Sequence, residues 1–185
     1  MKTFSTKARI ATAAGGLAVI GAVTTGTLAA NADTQATPAP VAASQASAPE
    51  DLVQTSRLSI ASAQEAAQAA MNAAEQAGQR VSVAVVDRDG NTVLTLRGDG
   101  AGPQSYSSAE AKAFTAVSWN AKTSELTGRL DQNPALKDIE GTLFLAGAVP
   151  VEADNAPIAA VGVAGAPSGA QDEAFAQAGV DALSK

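Results

Sequence analysis

The chain has 185 residues, a formal net charge of −6, and neither cysteine nor histidine. The chain alone therefore cannot form a disulfide, a Cys–His or Ser–His–Asp nucleophile, a zinc site of Cys or His, or an iron site with a proximal His or thiolate. The acidic balance argues against a nucleic-acid partner, because phosphate backbones attract basic surfaces. Carboxylate, hydroxyl, phenol, amine and thioether chemistry remains.

The first 32 residues have the pattern of a secretory signal peptide. Lys2, Lys7 and Arg9 precede an uncharged run from Ile10 to Ala30, and a small-x-small cleavage site ends at Ala32. The run is long enough for a membrane anchor, but its Gly and Thr content and its small-residue ending favour cleavage. We therefore expect residues 1–32 to be removed and the protein to be secreted and extracellular.

Residues 33–55 are rich in Ala, Pro, Ser, Gln and Thr and contain few large apolar residues. Such a segment buries too little apolar surface to offset the entropy cost of ordering. The composition predicts a disordered Ala/Pro-rich arm. Residues 56–185 remain, which is enough for one compact domain.

The first half of this domain is predicted to contain a helix and a β-hairpin. Apolar residues at helical spacing indicate a helix that begins at an N-cap at Ser59 and ends at Gly78. The strands Val81–Val86 and Thr92–Leu96 flank an Asp-Gly turn, which is a strong hairpin signal.

The second half repeats helices and a hairpin. The predicted elements are a helix from Ser107 to about Asn120, a short helix at Ser124–Leu130, strands at Leu143–Ala146 and Pro157–Val163, and a last helix at Gly169–Leu183. The order is α-β-β-α-α-β-β-α. Short turns join the strands within each pair, so the sequence predicts a single α/β (α+β) domain with a mainly antiparallel sheet flanked by helices.

Four segments together resemble the GlcG/HbpS-type family of haem-binding proteins: AVVDRDGNTVLTLRGDGAGPQSY, AEAKAFTAVSWNAKTSEL, LFLAGAVPV and GVAGAPSGAQDEAFAQAG. The resemblance spans about Leu58 to Leu183, and the exported HbpS-like branch is the most similar in pattern. It implies an extracellular homo-oligomer that binds haem and iron and modulates the membrane sensor histidine kinase of a two-component system in redox stress. Any reaction would belong to the bound haem, and no catalytic residue is predicted.

Three residues are candidate haem contacts, one from the resemblance and two from their chemistry. The resemblance places Thr142 as an oxygen ligand or close contact of the haem iron, whereas the residue alone fits the start of a strand. Tyr106, the one tyrosine, offers a phenolate, although an apolar ring that closes a loop is the commoner role. Arg57 stands where the HbpS-like pattern has His; it cannot ligate iron but can pair with a propionate. Met71 is predicted to fill the core rather than to ligate haem.

Glu110 is the candidate ligand for an iron ion, because hard cations prefer carboxylate oxygens. The HbpS-like pattern has a second acidic residue three positions earlier, where this chain has Ser107. Ser107 and Glu110 also fit a capping box at the start of the second helix, and we favour that interpretation.

Two other functions fit the same sequence. One is an exported module of this fold that binds a small ligand other than haem. The other is a GlcG-type enzyme accessory that acts on a small hydroxy acid or a corrinoid, which export and the absence of histidine disfavour.

Overall fold

The computed structural model describes residues 52–184, so the predicted signal peptide and residues 33–51 of the predicted arm lie outside the described residues. The helices are α1 (Ile60–Gln76), α2 (Pro103–Trp119), α3 (Thr123–Thr127), α4 (Arg129–Gln132) and α5 (Gly169–Ala182), with a 3₁₀ segment at Pro134–Asp138. The strands are β1 (Ser82–Asp87), β2 (Thr92–Arg97), β3 (Ala148–Ala153) and β4 (Ala156–Ala164).

The four strands form one sheet in the order β2-β1-β4-β3, and every neighbouring pair is antiparallel. The turn between β3 and β4 has φ values of +52° at Asp154 and +60° at Asn155. Positive φ at both central residues of a two-residue turn matches the twist of a tight hairpin, and Asp and Asn tolerate this conformation better than most residues. The predicted mixed α/β domain with a mainly antiparallel sheet is confirmed.

The sheet separates two layers of helices. On one face, Val83, Val85, Val161 and Val163 belong to the large core cluster with residues of α1 and α5. On the other face, small residues of β1 and β4 face α2. The centre of that contact is Gly162, where a Cβ atom would meet Ala109 O and lie 2.8 Å from Ala113 N. The backbone of α2 therefore rests directly on the sheet.

Helix α2 begins at Pro103, so its predicted start at Ser107 is wrong. Proline suits the first helical position, because its φ is already helical and no N–H is needed there. Ser107 and Glu110 therefore lie inside the helix, and the predicted capping box is wrong. The Ser107 hydroxyl instead donates to Gln104 O at 3.4 Å.

The third strand is also misplaced in the sequence prediction, because it begins at Ala148 and not at Leu143. The Leu143 N–H donates to Thr115 Oγ1 at 2.7 Å, so the segment 143–146 is tied to α2 rather than to the sheet. The predicted short helix at Ser124–Leu130 is two shorter helices, α3 and α4.

The remaining boundaries agree closely with the prediction. Ser59 is the N-cap of α1, and its hydroxyl accepts from Ser62 N at 3.1 Å. Strand β4 is one residue longer at each end than predicted, and α5 ends at Ala182. Among the helices of residues 52–184, none combines the length and apolar character that crossing a membrane requires.

We predict that Gly162→Ala destabilises the domain, because the added methyl group would have to push α2 away from the sheet. Overpacking of this kind costs roughly 1–3 kcal/mol, which lowers the melting temperature by several degrees in a domain of this size. Thermal unfolding followed by circular dichroism measures the change.

Gly128→Ala is the matched control, because Gly128 has φ −65° and its added Cβ would meet nothing closer than 4.0 Å. It should leave the melting temperature unchanged or raise it slightly. Equal melting temperatures for the two variants would contradict the close packing of α2 on the sheet.

Candidate functional site

An open cleft of about 270 Å³ lies between the β1–β2 turn and α2, and we call it the Glu110 cleft. Helix α2 supplies one wall, because Ser107, Glu110, Ala111 and Phe114 recur on one side of a helix. The full lining is Val86, Gly90, Thr92, Ser107, Glu110, Ala111, Phe114 and Gly141.

The Phe114 ring lies between two glycine turns. A Cβ atom on Gly90 would lie 2.7 Å from Cε2 of the ring, and one on Gly141 would lie 3.6 Å from Cε1, so the two turns approach opposite edges. Both glycines have positive φ, +85° and +79°, which other residues rarely adopt. The ring thus gives the cleft an apolar surface.

The Glu110 carboxylate is half-buried in this cleft, and its Oε1 accepts a hydrogen bond from Thr95 Oγ1 at 2.9 Å. Ser107, one turn earlier, offers a hydroxyl where a second carboxylate would strengthen a cation site. Within residues 52–184, no three acidic side chains form a group that could hold a metal ion. An ion at Glu110 would therefore take most of its ligands from water or from another molecule.

Thr142 follows Gly141 at the edge of the cleft. Its hydroxyl donates to Ile139 O at 2.7 Å, and its N–H bonds to the same carbonyl at 3.2 Å. Thr142 is therefore part of a turn, and its predicted position at the start of a strand is wrong. The oxygen keeps lone pairs that can face a ligand.

Arg57 is also beside the cleft, through the β1–β2 turn. Its guanidinium lies 3.3 Å from Asp87 Oδ2 and also contacts Asp89 Oδ2, next to Gly90. Such an exposed ion pair contributes at most about 1 kcal/mol. Arg57 can therefore exchange a carboxylate of this turn for one on a ligand at little cost.

Tyr106 and Met71 do not belong to the cleft. Tyr106 lies on the first turn of α2 with 43% of its surface exposed and is absent from the lining. Met71 is 6% exposed in the main core cluster, so the prediction that it fills the core is confirmed. Of the predicted site residues, only Glu110 is in the lining of the cleft. Thr142 follows the lining residue Gly141, and Arg57 contacts Asp89, which precedes the lining residue Gly90.

A buried ion pair was missed by the sequence reasoning. Lys112 Nζ lies 2.8 Å from Asp172 Oδ2 and 3.1 Å from Val163 O, and both side chains are at most 6% exposed. Burial raises the pKa of Asp172 above its usual value, and the hydrogen bond from Lys112 opposes that shift. A lysine among the alanines that face the sheet was the available signal, because an unpaired charge is rarely buried.

Comparison with known proteins shows which family the chain belongs to. The family model for haem-degrading, HbpS-like proteins matches residues 58–181. The chain belongs to this family. In a crystal structure, HbpS is 64% identical with a TM-score of 0.74, and the match covers 75% of this chain and 98% of that one. A Glu-to-Asp double variant of Streptomyces reticuli HbpS is 62% identical with a TM-score of 0.75, covering 78% and 99%.

More distant similarities include one solved structure and one sequence relative. A PduOC structure in complex with haem is 26% identical with a TM-score of 0.64, and the match covers 69% of this chain and 95% of that one. An uncharacterised 15.0 kDa Citrobacter freundii protein from the dhaT–dhaS intergenic region is 31% identical over 137 residues, which is 71% of this chain and 96% of the relative.

We predict that Thr115→Val loosens the segment that carries Thr142, because valine keeps the shape of threonine but cannot accept the Leu143 N–H. Loss of this hydrogen bond should lower the free energy of local opening by roughly 1–2 kcal/mol. Hydrogen exchange of the Leu143 amide should then speed up about 5- to 30-fold.

Ser118→Ala is the control, because the exposed Ser118 hydroxyl bonds only to Phe114 O in the same helix. Exchange at Leu143 should not change in this variant. Unchanged exchange in Thr115→Val as well would show that the hydrogen bond does not hold the segment.

Proposed function

We propose that this protein binds haem at the Glu110 cleft and serves as a secreted, extracellular accessory protein. The observation that carries the proposal is the match of almost the whole described domain to the haem-degrading HbpS-like family. A relative of the same fold, PduOC, has been crystallised with haem, which supports the same ligand class.

The Glu110 cleft fits one edge of a haem rather than the whole molecule. Sites that enclose a small ligand usually measure roughly 300–1,000 Å³. The Glu110 cleft measures about 270 Å³ and is open to solvent. Phe114 and Ala111 offer apolar contact for the porphyrin, and Glu110 and Thr142 offer hard oxygen donors of the kind that suit ferric iron.

Each residue of the cleft has a separate task in this proposal. Thr142 and Glu110 would supply a hydroxyl and a carboxylate oxygen for the iron, either directly or through water. Arg57 would give up its contact with Asp89 and pair with a haem propionate instead. Bound haem supplies the redox chemistry, and the chain's own residues hold and orient it.

We also propose that a second copy of the chain covers the open side of the cleft. Large apolar side chains are exposed on the elements that flank it: Tyr106 on α2, and Ile139 and Leu145 on the segment that carries Thr142. A small domain with no disulfide gains stability when such surface is buried between subunits. A homo-oligomer is therefore part of the proposal.

The proposed partner outside the oligomer is the membrane sensor histidine kinase of a two-component system in redox stress. Support for this partner comes from the resemblance to the exported HbpS-like branch. An iron ion at Glu110 is proposed on the chemistry of the carboxylate alone, with water completing the ligand set.

A second candidate function is a module of this fold that binds a small ligand other than haem. It is favoured by one observation, the lack of an imidazole or thiolate anywhere in the chain. Oxygen donors hold haem iron more weakly, so a chain that relies on them could have changed its ligand.

A haemin titration of the purified chain tests the choice between these functions. We expect a saturable change in the Soret band. Thr142→Ala and Glu110→Gln should each weaken binding roughly 2- to 10-fold, as expected for the loss of one polar contact. Tyr106→Phe is the control and should bind normally, because its hydroxyl lies outside the cleft.

A wild-type titration that matches adsorption to an unrelated acidic protein would reject haem in favour of the second candidate. Saturable binding that neither cleft variant weakens would keep haem as the ligand but remove the Glu110 cleft as its site.

Light scattering tests the oligomer. Ile139 is 44% exposed, and its carbonyl accepts a hydrogen bond from Thr142, so it belongs to the proposed interface. A charge there should oppose association, so Ile139→Lys should lower the mass of the assembly at micromolar concentration. Val53→Lys is the control, since Val53 is 88% exposed and precedes α1. A wild-type chain of monomer mass would contradict the proposal.

A further inference from the structure

A second, smaller pocket of about 190 Å³ lies along a different side of α2, and we call it the Lys112 pocket. It shares no lining residue with the Glu110 cleft. Its polar lining comes from α2 and α5, and its apolar lining includes two leucines of the segment after Thr142. The residues that matter here are Gln104, Ser108, Lys112, Leu143, Leu145 and Asp172.

The buried ammonium group of Lys112 has one hydrogen-bond donor left over. An ammonium group has three N–H donors. In residues 52–184 it has two acceptors, Asp172 Oδ2 and Val163 O. The side chain is only 6% exposed, so bulk water does not simply satisfy the third donor. A buried donor without an acceptor costs about 1–3 kcal/mol, which makes an acceptor in the pocket favourable.

Two further donors lie on the same face of α2. Gln104, Ser108 and Lys112 are four residues apart, so they follow one line along the helix with about 6 Å between neighbours. Ser108 and Lys112 both line the pocket. Neither the Ser108 hydroxyl nor the Gln104 side-chain amide makes a hydrogen bond within the described residues.

The start of α2 adds positive potential to this pocket. Its N-cap is Gly102, which has no side chain to accept from the first turn, and that turn contains no acidic residue. The start of α5 differs, because Ser168 caps it and Asp172 lies in its first turn. Pro103 has no N–H, and the Ser105 N–H already donates to Gly102 O at 3.0 Å. The Gln104 N–H and the dipole of α2 therefore favour an anion beside Gln104.

We propose that the Lys112 pocket binds a small carboxylate. One carboxylate oxygen accepts from the third N–H of Lys112, and the other accepts from the Ser108 hydroxyl, with the Gln104 amide one turn away. Leu143 and Leu145 contact the alkyl part. A single negative charge suits the pocket better than a phosphate, because Asp172 lies beside it and repels a second charge.

The carboxylate has two possible sources, a free organic acid or a propionate of haem. The inference does not rest on the proposed haem function, because the pocket and the Glu110 cleft are formed by different residues. A test with a free acid on haem-free protein therefore succeeds or fails independently of the haemin titration.

The first measurement is an NMR titration of the purified, haem-free chain with sodium propionate, followed at the amides of Ser108 and Ala166 and the methyl groups of Leu143 and Leu145. We expect saturable shifts at these positions. Propionamide has the same shape without the charge and should produce shifts that do not saturate over the same concentration range. Equal responses to both compounds, or linear shifts with propionate, would overturn the proposal.

Variants then locate the site. Ser108→Ala should weaken propionate binding about 2- to 10-fold, as expected for one lost hydrogen bond. The double variant Lys112→Met with Asp172→Asn removes both charges together, so no buried charge is left unpaired, and it should abolish binding. Ser118→Ala on the same helix should bind normally. If the double variant does not fold, normal binding by Ser108→Ala would still overturn the proposal.

The two sources are separated by competition. Haemin and haemin dimethyl ester differ only in whether the propionates are free. Displacement of propionate by haemin but not by the ester would assign the pocket to a haem propionate. Saturable propionate binding that haemin leaves unchanged would assign it to a free organic acid.

Discussion

The contact between α2 and the sheet at Gly162 is the constraint on which both candidate sites depend. Glycine on β4 and alanines on α2 let the two backbones meet without intervening side chains. The helix has little room to shift, because a single Cβ at Gly162 would already collide with it. One side of α2 is thereby fixed as a wall of the Glu110 cleft, and another side is fixed as a wall of the Lys112 pocket.

Two polar contacts extend this rigid unit to the rest of the domain. Thr115 on α2 receives the Leu143 N–H and so places the segment that carries Thr142. Lys112 joins α2 to β4 through Val163 O and to α5 through Asp172. A buried ion pair contributes little net stability compared with apolar packing of the same size, because desolvation offsets the attraction. Its role here is therefore better described as fixing the positions of three elements and presenting an ammonium group to a pocket.

The sequence was sufficient to predict those helices and turns that depend on interactions between neighbouring residues. The Asp-Gly turn predicted the first hairpin, and Ser59 predicted the start of α1, because both depend on neighbouring residues only. Ser107 and Glu110 fit a capping box equally well, yet Pro103 begins the helix one turn earlier. The run Leu143–Ala146 has the composition of a strand, but a hydrogen bond from a residue 28 positions earlier decides its path. Local patterns contain no information about such a contact.

The difference between local patterns and contacts over long distances in the chain also explains which site residues could be predicted. Thr142 and the Arg57 position were predicted from resemblance, and Glu110 from the preference of hard cations for carboxylates. The fold places Glu110 in the cleft, and it places Thr142 next to the lining residue Gly141, although Glu110 and Thr142 are far apart in the chain. Phe114 was not predicted as a site residue, because its position between Gly90 and Gly141 depends on two turns that meet in space. Without histidine or cysteine, the candidate ligands in and beside the cleft are oxygen donors, and Met71 is buried in the core. Affinity for a porphyrin in this cleft must therefore come mainly from apolar contact with its flat face, and the Phe114 ring held between two glycines is the largest such surface that the cleft offers.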